Sequence, residues 1–295
     1  MDADAVVETL PIATWDGPFS PVLQRQALTA LEHGKVVLLP DLPFRTTPDE
    51  APLLRPNVAG CLRKNISLDP HTGKLGNATL NPVAATQLAA MMQRFATQSL
   101  QLLHGLLPAY AATLEQARTS FRPSEVAGRE YSPRQDDRRL HVDAFPSRPL
   151  GGRRILRVFS NVAPDNAARV WRVGEEFETF AERFLPRAKR ALPGSAWLLE
   201  RAGITKGRRT NYDSLMLRLH DGAKLDAAYQ AASPFMEMAF PPGAVWMCFT
   251  DQVLHAVLAG HCALEQTFYV PVEAMTDTGR APLRVLERLV GRPLT

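Results

Sequence analysis

Two residues of the segment Leu140-His141-Val142-Asp143 are spaced so that they can bind one metal ion. In a β-strand, side chains two positions apart point to the same face, so His141 and Asp143 can reach one ion while Leu140 and Val142 pack on the other side. An imidazole and a carboxylate together suit a borderline metal such as Fe(II). Because the chain has seven histidines, a His-x-Asp match arises by chance about a third of the time. The His-x-Asp pair therefore predicts a metal site only if a third ligand can be found elsewhere in the chain.

The third metal ligand is predicted at His255. The segment FPPGAVWMCFTDQVLHAVLAG places a Pro-Gly turn, an apolar strand and a short polar loop before it, and a new strand begins at the histidine. His261 is the alternative, but it follows a glycine and is typical of a turn. Two histidines and one carboxylate leave three coordination positions open, which suits a bidentate 2-oxo acid and O₂. The remaining histidines have helical or turn contexts and are predicted to be structural or exposed: His33, His71, His104 and His220.

The second half of the chain contains the strands that must position these ligands. RRILRVFSNV (153–162) is β-branched and apolar with charge on alternate positions, which is typical of a strand with two different faces. AVWMCF (244–249) follows a Pro-Pro-Gly turn, and the segments HAVLAG and LEQTFYVPV are predicted to be the last strands. The intervening stretch 175–235 is predicted to be mainly helical.

The first half is predicted to be mostly helical. A Ser-Pro pair at residues 20–21 opens a capped helix, and VVLLP (36–40) is predicted to be a short buried strand. A loop-rich stretch (41–81) is followed by a long helical region, roughly 84–118, which Pro108 should kink or split.

The whole chain is predicted to be one α+β domain over residues 1–295, with a β-rich core and helices bracing the outside of its sheet. Its parts are a helical N-terminal flank (about 1–120), the core (about 121–172 and 236–272) and a helical insertion (about 173–235).

The composition is that of an ordinary globular protein, with 45% apolar and 22% charged residues. No apolar run reaches the roughly 18 residues that indicate a spanning helix, and the acidic N-terminus MDADAVVETLPIA does not favour export. Three cysteines without CxxC spacing favour a reducing compartment. We therefore expect a cytoplasmic protein.

Arginines are concentrated around the proposed ligands. Nine of them lie between Arg122 and Arg157, where the average for basic residues would place about four. Five acids share this segment, so it is not a basic tail for nucleic acid, and no nucleic-acid motif or aromatic interleaving accompanies it. A folded site for small or lipid-borne anions fits the segment better.

Three longer strings carry a family resemblance: LHVDAFPSRPLGGRRILRVFSNV, RKNIS (63–67) and PPGAVWMCFTDQVLHAVLAGHCALEQTFYVP. They resemble the Kdo hydroxylases of the Fe(II)/2-oxoglutarate-dependent dioxygenase superfamily, over about residues 35–272. The resemblance implies a double-stranded β-helix (jelly-roll) core, with Fe(II), 2-oxoglutarate and O₂ as its reagents. It also implies hydroxylation of C3 of 3-deoxy-D-manno-oct-2-ulosonic acid (Kdo) in the lipopolysaccharide inner core, which converts Kdo to the sugar Ko.

The sequence departs from the superfamily at the cosubstrate clamp. Many members carry an arginine shortly after the distal histidine to pair with the C5 carboxylate of 2-oxoglutarate, but this chain has Leu264, Glu265 and Gln266 there. Some members use a basic residue on the strand after HxD instead. Arg157 is the first candidate, because a guanidinium facing the barrel can clamp a carboxylate with two parallel hydrogen bonds. Phe159 shares its face, and Arg154 is the second choice.

The resemblance also implies residues that bind the sugar and its carrier. Kdo carries a carboxylate and hydroxyls, so its pocket needs fixed cations with amide and hydroxyl partners. The candidates are Arg63, Lys64, Asn65, Ser67, Arg139 and Arg148. The implied partner is a Kdo-containing lipid A precursor, met by peripheral contact with the cytoplasmic face of the inner membrane, for example through Lys206, Arg208 and Arg209.

Two other functions stay open at this point. The same iron site could hydroxylate another small molecule, another glycan or a protein side chain. The missing downstream arginine also leaves room for a non-catalytic metal-binding barrel. A zinc hydrolase is disfavoured, because no HExxH-type general base accompanies the histidines.

Overall fold

The computed structural model describes residues 3–55, 58, 65–128, 130–188 and 194–295, so Arg63 and Lys64 lie outside the described residues. The helices are α1 (Ala3–Val6), α2 (Pro21–Glu32), α3 (Pro82–Leu106), α4 (Phe177–Phe184), α5 (Ser195–Arg201), α6 (Asn211–Leu225), α7 (Ala227–Ala232) and α8 (Pro282–Val290). The strands are β1 (Val7–Thr9), β2 (Val36–Leu39), β3 (Ile66–Leu68), β4 (Leu75–Gly76), β5 (Glu115–Arg122), β6 (Arg154–Asn161), β7 (Arg169–Val173), β8 (Met236–Phe240), β9 (Val245–Phe249), β10 (His255–Ala259) and β11 (Ala263–Val270).

The strands form two sheets that pack against each other. The larger has eight strands in the order β1-β2-β9-β6-β11-β5-β3-β4, and the smaller has three in the order β10-β7-β8. All neighbours are antiparallel except β1 and β2. This arrangement confirms the predicted α+β fold with a jelly-roll core.

Strand β6 lies within the larger sheet and is buried on both faces. Its residues Leu156 and Val158 belong to the main apolar core under helices α2 and α3. Phe159 points to the other face, where it packs with residues of the smaller sheet. Successive side chains of a strand alternate between its faces. Arg157 therefore lies on the same face as Phe159, the inner face that is turned toward the smaller sheet, as the sequence predicts.

Aromatic rings fill part of the space between the sheets. The rings of Phe240 and Trp246 stack with centroids 4.0 Å apart, and Phe159 stacks on the same indole at 5.3 Å. Trp171 meets them edge-on. This apolar layer packs the two sheets against each other. The polar side chains described below lie in another part of the space between the sheets.

The N-terminal helices begin as the sequence predicts. The side chain of Ser20 accepts a hydrogen bond from the backbone of Leu23 at the start of α2, and Asn81 caps α3 in the same way through Ala84. A proline occupies the first helical position of both helices.

The expected helix over 84–118 is wrong in its second half. Helix α3 ends at Leu106, two residues before Pro108, because a proline disfavours the helical conformation of the residue that precedes it. Residues from Glu115 onward form β5 instead, paired with β11. Pairing in the sheet outweighs the helical propensity of this alanine- and glutamine-containing segment. The stretch 41–81, predicted to be loop, also contains β3 and β4.

The helical stretch predicted over 175–235 is confirmed by α4, α5, α6 and α7, which lie between β7 and β8 in the chain. A last helix, α8, was not expected. Within the described ranges, no helix combines the length and the apolar character needed to cross a membrane.

Candidate metal centre

The HxD segment is held against β10 by its backbone. The amide of His141 donates to the carbonyl oxygen of His255 at 3.0 Å, and the amide of His255 donates back at 2.9 Å. Asp143 donates its amide to the carbonyl oxygen of Thr250 at 2.7 Å. The strand expected at 140–143 is therefore wrong, because this segment forms only an isolated bridge at His141 followed by a short extended stretch. Its backbone hydrogen bonds nevertheless orient the side chains of His141 and Asp143 toward the same point.

His141, Asp143 and His255 converge. One ligand atom from each lies within 4.8 Å of the others, and Nε2 of His141 is 3.8 Å from Oδ1 of Asp143. The Nδ1 atoms lie 2.7 Å from the Arg139 carbonyl oxygen and 2.9 Å from that of Val253. Because a carbonyl only accepts, each Nδ1 carries the proton and each Nε2 has a free lone pair.

The electrostatics leave these groups in the protonation states that metal ligands need. Burial, together with the neighbouring imidazole of His255, lowers the pKa of His141, and burial lowers the pKa of His255. Burial alone would raise the pKa of Asp143, but Arg157, the two imidazoles and a hydrogen bond with Thr250 together hold the pKa well below its usual range. The site thus presents two neutral imidazoles and one carboxylate.

The donor set fits Fe(II). Two imidazole nitrogens and one carboxylate are the ligands of a facial triad with open positions. Oδ2 of Asp143 is buried and has no hydrogen bond among the described residues, although Nη2 of Arg157 lies 3.2 Å away. An ion pair without hydrogen-bond geometry satisfies a buried carboxylate oxygen incompletely, and a bound metal cation would satisfy it further.

Two aromatic rings pack against the histidines: that of Trp171, which the sequence analysis missed, and that of His220, which it predicted to be structural or exposed. The Trp171 indole stacks on the His255 ring with centroids 5.1 Å apart, and the His220 ring meets His141 edge-on at 5.3 Å. The sequence contains a signal for Trp171, because it alternates with Val173 on a strand. His220 lies on α6 and has no comparable signal.

Arg154 does not face the site. It is fully buried on the helix-covered face of β6, where its guanidinium donates to Asp251 at 2.7 Å and to Gln252 at 2.7 Å. Asp251 also accepts from the backbone of Ile155 at 3.2 Å. These contacts fix the loop 250–254, which binds Asp143 and leads into His255. Arg154 therefore positions the ligands, and its expected role as a second cosubstrate clamp is wrong.

Arg157 does face the site. Its Nη2 lies 3.2 Å from Oδ2 of Asp143, its Nη1 donates to Glu265 at 3.4 Å, and its side chain is 12% exposed. Its Nε has no hydrogen-bond partner among the described residues. Phe159 lies on the same face two residues on, with its ring in the aromatic layer.

A polar cluster that the sequence analysis missed lies next to Arg157. Arg122 donates from Nε and Nη2 to Glu265 and lies 3.2 Å from Asp137. Arg169 is buried nearby, and burial, together with the charge of Arg122, lowers its pKa to about 10. Its guanidinium donates to the Gly260 carbonyl oxygen at 2.6 Å, and no carboxylate of the described chain lies within ion-pair distance of it. Two features of the sequence pointed to this cluster: the arginine-rich segment, and Glu265 at the place where many superfamily members carry an arginine.

The proposed sugar-binding residues are dispersed around this interior. Asn65 donates to Ser120 at 3.2 Å, and the Ser67 hydroxyl accepts from Arg118 at 3.4 Å. Arg148 lines a narrow cavity beside Asp143. Arg139 turns to α6 and donates to a backbone carbonyl at 2.7 Å.

His261, the alternative third ligand, lies outside the triad. Its ring is 3.2 Å from Asp165 and 3.6 Å from Glu125. The geometry therefore favours His255, as the strand pattern predicts.

Comparisons with known proteins agree with this geometry. A family model described as 3-deoxy-D-manno-oct-2-ulosonic acid (Kdo) hydroxylase matches residues 14–293. No curated protein sequence matches the chain.

Solved structures of one protein are similar over nearly the whole chain. The Kdo hydroxylase KdoO, a non-heme Fe(II) α-ketoglutarate-dependent dioxygenase, was crystallised with α-ketoglutarate and Fe(III). It is 42% identical to this chain with a TM-score of 0.95, and the match covers 98% of this chain and 97% of KdoO. Its cobalt(II) complex gives 43% identity and a TM-score of 0.95, and its complex with succinate and Fe(III) gives 42% and 0.94, each with the same coverage.

The family model and the structural similarity extend far beyond the HxD and distal histidine motifs, and they confirm the resemblance predicted from the three longer strings. This chain belongs to the Kdo hydroxylase family.

Proposed function

We propose that this protein hydroxylates C3 of Kdo in a Kdo–lipid A precursor, with Fe(II), 2-oxoglutarate and O₂, giving Ko, succinate and CO₂. The observation that carries the proposal is the convergence of His141, Asp143 and His255 with free Nε2 atoms and a buried carboxylate oxygen without a hydrogen bond, in a chain of the Kdo hydroxylase family. When bound, iron and its cosubstrate supply the oxidation. The protein supplies ligation, orientation and exclusion of water.

Arg157 is proposed to hold the C5 carboxylate of 2-oxoglutarate. It is the arginine of β6 that faces the triad, and its contacts with Asp143 and Glu265 are long enough to be rearranged by an incoming carboxylate. A guanidinium can make two parallel charge-assisted hydrogen bonds to such a group. Phe159 would form the apolar wall beside the cosubstrate carbon chain.

Arg169 is a second candidate for the same role. A specific observation favours it, because its buried guanidinium bonds a backbone carbonyl and no described carboxylate lies within ion-pair distance of it. It lies on β7, the strand that also carries Trp171 under His255. Arg169 and Trp171 are two positions apart on β7, so their side chains share one face of the strand.

The sugar is proposed to bind through Arg148, Asn65 and Ser67, with Arg139 and the undescribed pair Arg63 and Lys64. Their support is chemical, since a sugar acid needs cations beside amide and hydroxyl groups. Arg148 has additional support from its place beside Asp143.

The chain is proposed to act as one domain in the cytoplasm, in peripheral contact with the inner membrane. The support is indirect: a lipid-linked substrate is presented at a bilayer surface, and basic side chains are attracted to such surfaces when the lipids are anionic.

The test is turnover. Anaerobically purified protein is loaded with Fe(II), given Kdo–lipid A, 2-oxoglutarate and O₂, and assayed for succinate and for a mass gain of one oxygen on the sugar. We expect both products in equal amounts. Asp143→Ala should reduce both by about a thousandfold or more, because it removes a metal ligand, whereas His261→Ala should keep wild-type turnover.

Two outcomes would contradict this proposal in different ways. Iron-dependent succinate release without sugar hydroxylation would favour another substrate at the same site. Tight iron binding with no succinate release from any tested substrate would favour a non-catalytic metal-binding barrel.

A further inference from the structure

An apolar patch lies on the surface of the helical insertion. Trp197 and Leu198 on α5 are 54% and 61% exposed, and Ile204 in the following turn is 57% exposed. These three, here called the docking patch, lie within eight consecutive residues. Large apolar side chains this exposed and this close together mark a surface that is covered in function.

The turn that carries Ile204 folds back on α5. The amides of Ile204 and Thr205 donate to the Leu199 carbonyl oxygen at 3.0 and 3.3 Å, which folds the turn back on the end of α5. The guanidinium of Arg201 lies 5.7 Å from the Trp197 ring centroid. Ile204 therefore lies close to the C-terminal end of α5, and a cation lies beside the exposed indole.

The charge around the docking patch is strongly biased. Residues 194–209 contain one acid, Glu200, and four basic residues: Arg201, Lys206, Arg208 and Arg209. Apolar groups with tryptophan among them, rimmed by lysine and arginine, suit the headgroup region of an anionic bilayer. Three side chains are too few for the core of a stable protein interface, which buries about 800 Å² on each partner.

The docking patch is tied to the metal centre. The Lys206 amide donates to the Ser147 carbonyl oxygen at 2.9 Å, and the Arg209 guanidinium donates to the Pro146 carbonyl oxygen. Both acceptors lie in the loop that directly follows Asp143. An external surface that contacts the docking patch would therefore also lie close to this loop.

We propose that α5 and its following turn dock the enzyme on an anionic lipid bilayer, with the loop after Asp143 facing that surface. The inference rests on the proposed function in one respect, namely that the substrate is lipid-borne. The lipid-linked substrate alone leads us to expect a membrane contact. The docking inference names the residues that make this contact.

The test is flotation of the full-length protein with vesicles of neutral phosphatidylcholine, with or without anionic phosphatidylglycerol. Wild type should bind the anionic vesicles and bind less in high salt. The double variant Trp197→Ser/Leu198→Ser should bind about tenfold more weakly. Lys206→Gln/Arg208→Gln should lose most of the preference for anionic lipid. All four side chains are exposed, so melting temperatures should stay at the wild-type value.

Matched controls lie elsewhere on the surface. Val22→Ser/Val83→Ser removes two apolar side chains that are 54% and 69% exposed, and Arg25→Gln/Arg292→Gln removes two exposed charges. Both control variants should float like wild type.

The docking inference is overturned by any of three results: no wild-type binding to anionic vesicles, unchanged binding of the docking-patch variants, or equal loss in the controls. A wild-type dimer that the Trp197→Ser/Leu198→Ser variant dissolves in sedimentation analysis would also overturn it, since the patch would then be covered by a second copy. Vesicle binding needs no turnover. If wild type hydroxylates no Kdo substrate, the proposed function fails while flotation still decides the docking inference.

Discussion

Two arginines of β6, three positions apart, have opposite environments. Arg154 lies on the helix-covered face with no exposed surface. Its guanidinium bonds Asp251 and Gln252 and stacks over the Phe249 ring at 3.9 Å. Each of its donor groups meets an acceptor, the last being the Met275 sulfur at 3.2 Å.

Arg157 lies on the inner face and is poorly partnered. It approaches Asp143 without a hydrogen bond, makes a long one to Glu265, and leaves Nε unpaired among the described residues. Buried polar groups in folded proteins are normally satisfied, so a shortfall needs an explanation such as a missing ion or ligand. On β6, the arginine whose donor groups all have acceptors, Arg154, has a structural role. The arginine with an unpaired donor group, Arg157, faces the candidate metal centre.

The largest effect is expected from Arg154→Met. The substitution leaves Asp251 buried without its cation, which should lower the free energy of unfolding by about 3–5 kcal/mol. Denaturant unfolding of the apo protein measures the loss. Arg154→Met/Asp251→Asn should recover part of it, because the second change removes the unpaired charge. A loss under about 1 kcal/mol in the single variant would show that the pair is not structural.

A smaller effect on stability, but a clear effect on kinetics, is expected from Arg157→Met. Two charge-assisted hydrogen bonds to the cosubstrate would be lost, so the KM for 2-oxoglutarate should rise about 10- to 100-fold. Succinate formation at varied 2-oxoglutarate measures this, and the free energy of unfolding should fall by less than in Arg154→Met, because Arg157 makes fewer and longer contacts. Arg169→Met is the comparison variant. If it raises the KM and Arg157→Met does not, the clamp is on β7.

The smallest effect is expected at a third arginine–carboxylate pair, which is partly exposed. Arg94 donates to both oxygens of Glu50 at 2.8 Å, and the side chain of Arg94 is 35% exposed. Burial would raise the pKa of Glu50, but hydrogen bonds from Arg94 and Thr47 lower it below 4.5. The pair therefore stabilises the fold above that pH, and the contribution is lost as the pH falls through the lowered pKa.

Glu50→Gln should consequently lower the free energy of unfolding by about 1 kcal/mol at neutral pH. The difference from wild type should shrink as the solution is acidified, and unfolding curves at several pH values measure it. A difference that stays constant down to strongly acidic pH would show that packing of the side chain, not its charge, is responsible.

The convergence of His141, Asp143 and His255 was predictable because the His-x-Asp spacing and the Pro-Gly strand before His255 are local signals. The core strands and the helical insertion were predictable for the same reason, from alternation and helical composition. The sequence strings also indicated the family, whose model and structures confirm the jelly-roll core.

What the sequence could not show depends on pairing between distant segments. Arg122 meets Glu265 only because β5 pairs with β11 in one register. The role of Arg154 depends on where the loop 250–254 returns to the sheet. The end of α3 was mispredicted because sheet pairing of residues after Glu115 outweighs their local helical propensity.

The reciprocal backbone bonds between His141 and His255 have a thermodynamic consequence. They join two segments far apart in the sequence, and the ligand atoms converge only while this bridge is closed. The unfolded chain therefore has no preformed site, and a metal ion that these side chains hold would bind the native state preferentially. By mass action, each increase in free metal above its dissociation constant shifts the folding equilibrium toward the native chain. A metal ion held by these three side chains would therefore also make the chain open less often to proteases.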